Sequence, residues 1–256
     1  IEISSRKIRL DTKTSINHNS KDTNGFFDIL FFNKKNSFIY KIKDQTLNFL
    51  SKNKNFSGSL NFKPFYFYSD LNFDYVSQKK IFNNESLLFD LLNTDLIYNP
   101  NLNAVFNINI NKIEKFEYFK KLNLKVVLGD GRVTANDFDI EWNEAVSLRS
   151  KDIEFINEKN EKKLVGEIIF DFNDVEKFFR YFQIKRNYRN VFNQIKADFV
   201  YDFNENKIFL NNLVVDDKSK KKINLFIEEY NKKEKNLFNK VTFRNFVKDF
   251  FKTYAG

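Results

Sequence analysis

His18 is the one histidine available for acid–base or nucleophile-activating chemistry. It sits in the polar run Asn17-His18-Asn19, and no Gly-x-Ser-x-Gly elbow accompanies it, so a solvated loop position is expected rather than a hydrolase triad. Cysteine is absent, which removes disulfides, thiolate metal sites and thiol nucleophiles. Two carboxylate pairs, Asp137 with Asp139 and Asp216 with Asp217, lack the spacing of a calcium loop and read as strand-exit and turn residues. Gly129-Asp130-Gly131 is too short to cradle a phosphate, and its Asp-Gly suits a two-residue hairpin. Arg186 and Arg189 around Tyr188 have the types that stack a nucleic-acid base, but a helix surface with one inward aromatic gives the same pattern. Trp142 follows Phe138 and Ile140 at strand spacing and reads as core. No residue set selects a reaction, so no enzyme, metal or cofactor is expected.

The elements that would carry any other function come next. At 256 residues the chain can bury a core as one large β domain or two small ones. Phe (33) and Tyr (11) are abundant, while Gly (6) and Pro (2) are scarce. The net charge of +9 comes from Lys scattered among Asp and Glu, in a composition that follows AT-rich codons, and no nucleic-acid partner is expected from it. No window approaches the ~18 apolar residues of a membrane span; the densest, Phe26 to Phe32, already holds Asp28. The chain starts at Ile1 and contains no Met, so a start upstream is expected, with any anchor there.

Period two dominates. Leu102, Ala104, Phe106, Ile108 and Ile110 alternate with asparagines, and Leu122, Leu124, Val126 and Leu128 alternate with Asn123 and Lys125. Gly166 to Phe172 and Ile195 to Phe203 repeat the pattern. Each reads as a half-buried strand, and the short turns between them predict antiparallel hairpins. Phe26 to Phe32, Ser37 to Lys43 and Leu60 to Phe73 also read as strands, with both faces aromatic over Phe65-Tyr66-Phe67-Tyr68. Residues 1 to 25 read as an edge strand plus loop.

Helices are few. Asn83 can cap a helix over about 84–97, and Asn173 or Asp174 can cap Val175 to Phe182 with Phe178, Phe179 and Phe182 inward. A second short helix is expected over Tyr188 to Gln194. Apolar residues from Ile223 to Val241 follow helical spacing, and Phe243, Phe246, Val247, Phe250, Phe251 and Tyr254 form a full stripe opposite Arg244, Lys248 and Lys252. The short charged link from Val215 to Ile223 favours this tail folding back as a cap on the sheet over a membrane-surface element.

This order of elements resembles the C-terminal region of AsmA-like proteins of Gram-negative bacteria. The likeness rests on the helix before Leu102 to Ile110, then Leu122 to Leu128, Gly131-Arg132-Val133, Phe138 to Trp142, Asn173-Asp174 with Phe178-Phe179, Ile195 to Phe203, Ile208 to Val215, and the terminal Phe250-Phe251-Lys252-Thr253-Tyr254-Ala255-Gly256. It covers about 83–256 and reaches the first third only loosely. Read this way, 1–82 is a partial N-terminal β region, 83–218 an AsmA-like β domain with helices near 84–97 and 174–194, and 219–256 a helical tail. The expected fold is mainly β, an elongated curved antiparallel sheet forming a groove or open sandwich, capped by amphipathic C-terminal helices.

The resemblance implies a non-catalytic protein on the periplasmic side of the inner membrane, held there by an N-terminal anchor. It implies roles in outer-membrane biogenesis and phospholipid transport, with a phospholipid or other acyl lipid as ligand and an envelope protein as possible partner. The groove candidates are Leu102, Ala104, Phe106, Ile108, Ile110, Leu122, Leu124, Val126, Leu128, Phe199 and Tyr201. Their common phase predicts one shared face. The rival expectation is a structural or adhesive β-sandwich whose apolar face is closed core.

Overall fold

Alternating sequences become a ladder of fourteen strands in the computed structural model. It describes residues 1–5, 10–19, 21–31, 34–63, 66–76, 94, 97–114, 119–158, 161–232 and 240–255. The strands are β1 (Glu2–Ser5), β2 (Leu10–His18), β3 (Thr23–Phe31), β4 (Lys34–Lys43), β5 (Thr46–Ser51), β6 (Phe56–Lys63) and β7 (Tyr66–Phe73). They continue as β8 (Ala104–Ile110), β9 (Phe119–Gly129), β10 (Arg132–Trp142), β11 (Val146–Glu158), β12 (Glu161–Phe172), β13 (Gln194–Asp202) and β14 (Lys207–Val215). Neighbours in the ladder are neighbours in sequence throughout. The protein is therefore mainly β, with a few helices.

One pairing departs from the expected antiparallel sheet. β7 and β8 run parallel, Phe67 beside Ala104 through Phe73 beside Ile110. Residues 74–103 separate them, and a connection that long permits the crossover a parallel pair requires. Residues 1 to 25 are more regular than expected, forming β1, β2 and the start of β3, with His18 closing a strand instead of lying in a loop. Asp130 and Gly131 take φ of 53° and 74° between β9 and β10, the left-handed pair of a type I′ turn. Asp137 also has positive φ, inside β10, so it is a mid-strand irregularity and not a strand exit.

By compactness the chain divides into residues 1–117 with 121–133, and residues 118–120 with 134–256. In the first unit the registers of β2 to β9 place one mostly apolar set of alternate side chains on one face, while the other, more polar face also carries Phe26, Leu30, Ile39 and Val105. The polar face carries paired groups at successive registers. Asn107 donates to Asp70 (2.8 Å), Asn109 to Asn72 (3.1 Å) and Asn111 to Asp74 (3.1 Å), which pins the parallel pair.

The second unit covers part of its apolar face with helices. Helix α1 (Val175–Phe182) starts at Asp174, whose carboxylate accepts from the Lys177 N–H at 2.8 Å. It stops at Gln183, a left-handed residue with φ of 56°. The helix expected over Tyr188 to Gln194 does not form. A single 3-10 turn occupies Arg186–Tyr188, and Gln194 already opens β13. Its backbone N–H is held by the Asp216 carboxylate at 2.9 Å, which binds this segment to the sheet.

The tail forms α2 (Lys221–Asn231) and α3 (Lys240–Ala255). α2 lies along β14, burying Ile223, Ile227 and Tyr230. α3 brings Phe251 against Phe179 at 5.2 Å and Phe192 at 5.4 Å between ring centres. Trp142 joins this cluster against Phe178 and Phe182, as its strand position implied. The tail is thus a cap on its own unit. The helix expected over 84–97 lies outside the described residues apart from Thr94 and Ile97, the latter in a turn.

Candidate functional site

The feature that sets the first unit apart is its apolar face, and the strand registers fix which residues share it. Ala104, Phe106, Ile108 and Ile110 lie directly opposite Leu128, Val126, Leu124 and Leu122. The parallel pair adds Phe67, Leu71 and Phe73. β6 then adds Phe56 and Leu60, β5 Leu47 and Phe49, β4 Phe38, Tyr40 and Ile42, and β3 Phe27 and Ile29. One cross-strand row reads Tyr40, Phe49, Gly58, Leu71, Ile108, Leu124 without a charged side chain. The next reads Ile42, Leu47, Leu60, Ser69, Phe106, Val126. Ser69 is tolerated there because its hydroxyl donates to the Ser59 carbonyl at 2.8 Å.

Aromatic rings run across this face. Phe27 stacks on Phe38 at 4.8 Å, Phe38 meets Phe49 and Phe56 at 5.8 and 5.9 Å, and Phe56 stacks on Phe73 at 4.3 Å. The ladder crosses five strands, about 19 Å at ~4.8 Å per strand. Two glycines make room for it. Gly25 lies opposite Tyr40, and Gly58 opposite Phe49. A Cβ on Gly58 would stand 2.6 Å from the Phe49 ring and 2.6 Å from the Asp70 carbonyl, so the ring lies over bare backbone. Tyr40 likewise spans Gly25, and its hydroxyl donates to the Ser15 carbonyl at 3.0 Å.

Exposure separates this face from the core of the second unit. Phe27, Phe49, Phe56, Leu71, Phe73, Phe106, Ile108, Leu124 and Val126 are all half-buried, although all point to the same side. Only positions such as Phe38, Tyr40, Ala104, Ile110 and Leu128 fall below a tenth exposed. In the second unit, by contrast, Phe179, Phe192, Phe251, Ile223, Val146 and Val215 are almost wholly enclosed.

The candidates named from the sequence are therefore divided. Ala104 to Ile110 and Leu122 to Leu128 share the half-open face, and Leu102 precedes β8, half-buried. Phe199 and Tyr201 belong to the second unit, where they are 7% and 2% exposed beside β14. A ligand cannot reach them without opening that core. Burial also pushes the Tyr201 hydroxyl up to about 12. The ladder of Phe27, Phe38, Phe49, Phe56 and Phe73 was not singled out from the sequence. Its signal was present as aromatics at period two, but which of them meet depends on register across five strands.

The opposite face mixes ion pairs and hydrogen bonds with the exposed apolar side chains of Phe26, Leu30 and Ile39. Lys41 pairs with Asp22 (2.5 Å) and Lys35 with Asp28 (3.2 Å). The hydrogen bond from Lys41 holds the Asp22 carboxyl below its usual range, and those from Ser37 and Lys35 do the same for Asp28. His18, which the register puts on the same face as Phe27, is exposed and bonds Thr23 at 2.8 Å through Nδ1. Among the described residues no cluster of three metal-ligating side chains occurs, and no helix is long and apolar enough to cross a membrane.

No family model matches the chain, and no curated protein or solved structure is detectably similar to it.

Proposed function

We propose that this chain is a non-catalytic lipid-handling protein of the AsmA type. On this reading, acyl chains lie on the apolar face of β3 to β9, and the protein works on the periplasmic side of the inner membrane, in phospholipid movement and outer-membrane biogenesis. The supporting observation is a contrast within one chain. In the second unit α1, α2 and α3 enclose Phe179, Phe192, Ile223 and Val215 while Leu148, Ile168 and Phe170 of its sheet stay half-buried; in the first unit Phe27, Phe49, Phe56, Leu71, Phe73 and Phe106 stay half-buried on a continuous face. A face of that extent carries a standing cost in water, and each acyl CH₂ laid on it recovers about 0.8 kcal/mol. Such a surface holds a chain by area and needs no polar pocket. Phenylalanines suit it because their rings pack against a flexible chain at little entropic cost.

The test is an organic extract of the purified protein analysed by mass spectrometry. Phospholipid is expected in the extract. Phe106→Asp should lower the load while the β-type circular dichroism is retained, and Phe26→Asp, on the opposite face, should leave it unchanged. A lipid-free protein that Phe106→Asp unfolds would instead mark a closed structural or adhesive core.

A further inference from the structure

The helical cap contains a concavity that the packing of the sheet does not explain. α2 and α3 converge around a cavity of about 330 Å³, within the range of small-ligand sites. Its apolar wall is aromatic. Phe226 meets Phe246 at 5.4 Å, and Tyr230 meets Phe246 at 4.8 Å. The Tyr230 hydroxyl is shielded and unpartnered, so it offers the cavity no polar contact. The rim is charged. Glu229 from α2 and Asp249 from α3 face the same space with Lys252. Among the described residues neither carboxylate has an ion-pair or hydrogen-bond partner, in a protein whose net charge is +9.

This combination selects a ligand class. Two carboxylates against one lysine disfavour an anion. A divalent metal would require several converging charged ligands, whereas the described residues hold no group of three His, Cys, Asp or Glu side chains, and Thr242 and Thr253 complete a lining that otherwise consists of the three rings, the two carboxylates and Lys252. An alkylated ammonium satisfies both halves, because its charge is drawn to the carboxylates and to the negative faces of the rings while its methyl or methylene groups fill apolar space. We propose that the α2–α3 cavity binds an organic ammonium group, with Phe226, Tyr230 and Phe246 as the aromatic wall and Glu229 and Asp249 as counter-charges. The group arrives either as a free amine or as the headgroup of a zwitterionic lipid. The inference stands on α2 and α3 alone and does not depend on the acyl face.

The experiment titrates the full chain with choline and with 3,3-dimethylbutanol, its uncharged isostere, by ligand-observed NMR. Choline is expected to bind saturably and at least about tenfold more tightly than the isostere. Glu229→Gln and Asp249→Asn, both at exposed carboxylates, should each weaken choline roughly threefold or more with unchanged circular dichroism. Phe246→Leu, which keeps apolar bulk and removes the ring, should do the same. Vesicles of phosphatidylcholine separate the sources: protein that binds choline and sediments with them takes a headgroup, and protein that binds choline alone takes a free amine. Equal binding of choline and the isostere, no saturable binding of choline, or indifference to both carboxylate changes would overturn the proposal.

Discussion

The side-chain amide of Asn231, the last residue of α2, occupies the place of a further strand beside Leu210. Its Oδ1 accepts from the Leu210 N–H at 3.0 Å and its Nδ2 donates to the Leu210 carbonyl at 2.7 Å. β14 ends the ladder, and a terminal strand presents backbone groups that would otherwise pair with another chain. The same residue's carbonyl accepts from Lys207 at 3.1 Å. One asparagine therefore fixes the end of a helix to the edge of the sheet.

Replacing it exposes that dependence. Asn231→Ala is expected to leave both backbone groups of Leu210 unpaired, at a cost of about 1–3 kcal/mol. Urea denaturation should show a lower midpoint with an unchanged slope. An unaltered midpoint would mean that water replaces the amide at no cost.

Removing the whole cap is the larger version of the same change. Without residues 219–256, Leu213, Val215 and Phe192 lose the helices that bury them, and the β14 edge is bare. The truncated protein is expected to self-associate on size-exclusion chromatography at concentrations where the full chain runs as one species. If it stays monomeric with the same melting temperature and loses affinity for anionic liposomes, the tail is a membrane element instead.

The two apolar faces should respond differently to one substitution. Phe179 is 1% exposed and ringed by Phe192 and Phe251, so Phe179→Ala is expected to cost about 3–5 kcal/mol. Phe49 is half-buried on the open face, and Phe49→Ala should cost well under half as much, while reducing bound lipid. Equal losses of stability would show that the first face is covered as fully as the second.

Alkaline pH should unfold the protein through its tyrosines. Burial pushes the hydroxyls of Tyr98, Tyr201 and Tyr230 from 10.0 up to about 12. Above pH 10 the unfolded chain releases these protons while the folded one retains them. Their contribution is thus complete below pH 10 and lost as pH rises through about 12. Urea midpoints across that window should fall. Tyr230→Phe, which deletes an unpartnered buried hydroxyl, should flatten the fall and leave neutral-pH stability equal or higher. A decline of the same steepness in the variant would assign it to other groups.

Local pattern carried much of this fold. Leu122 to Leu128 alternating with Asn123 and Lys125 can place its apolar set on one side only, and the structure does so. Asp130-Gly131 and Asp174 are equally local, because a left-handed turn and a helix N-cap each depend on the geometry of a few consecutive residues. The stripe on α3 required a partner surface, which α1 supplies through Phe179 against Phe251, while the short link from Val215 to Ile223 returns α2 to the sheet. The helix expected over Tyr188 to Gln194 does not form because apolar spacing over so few residues fits more than one backbone, and the Asp216 carboxylate, distant in sequence, holds the Gln194 N–H at the start of β13.

What the sequence determined by itself, then, is the set of strands, their two-faced character, and the apolar stripe of the tail. All of these follow from backbone periodicity acting over fewer than a dozen residues. What only the tertiary structure decided is pairing and cover. The parallel alignment of β7 with β8 joins residues that residues 74–103 hold apart. Gly58 beneath Phe49 depends on a register that neither strand encodes alone. The split of the groove candidates has the same origin. Phe106 and Tyr201 carry the same alternation along their strands, yet Tyr201 is 2% exposed and Phe106 is half-buried, since burial is a property of what packs on a face and not of the face itself.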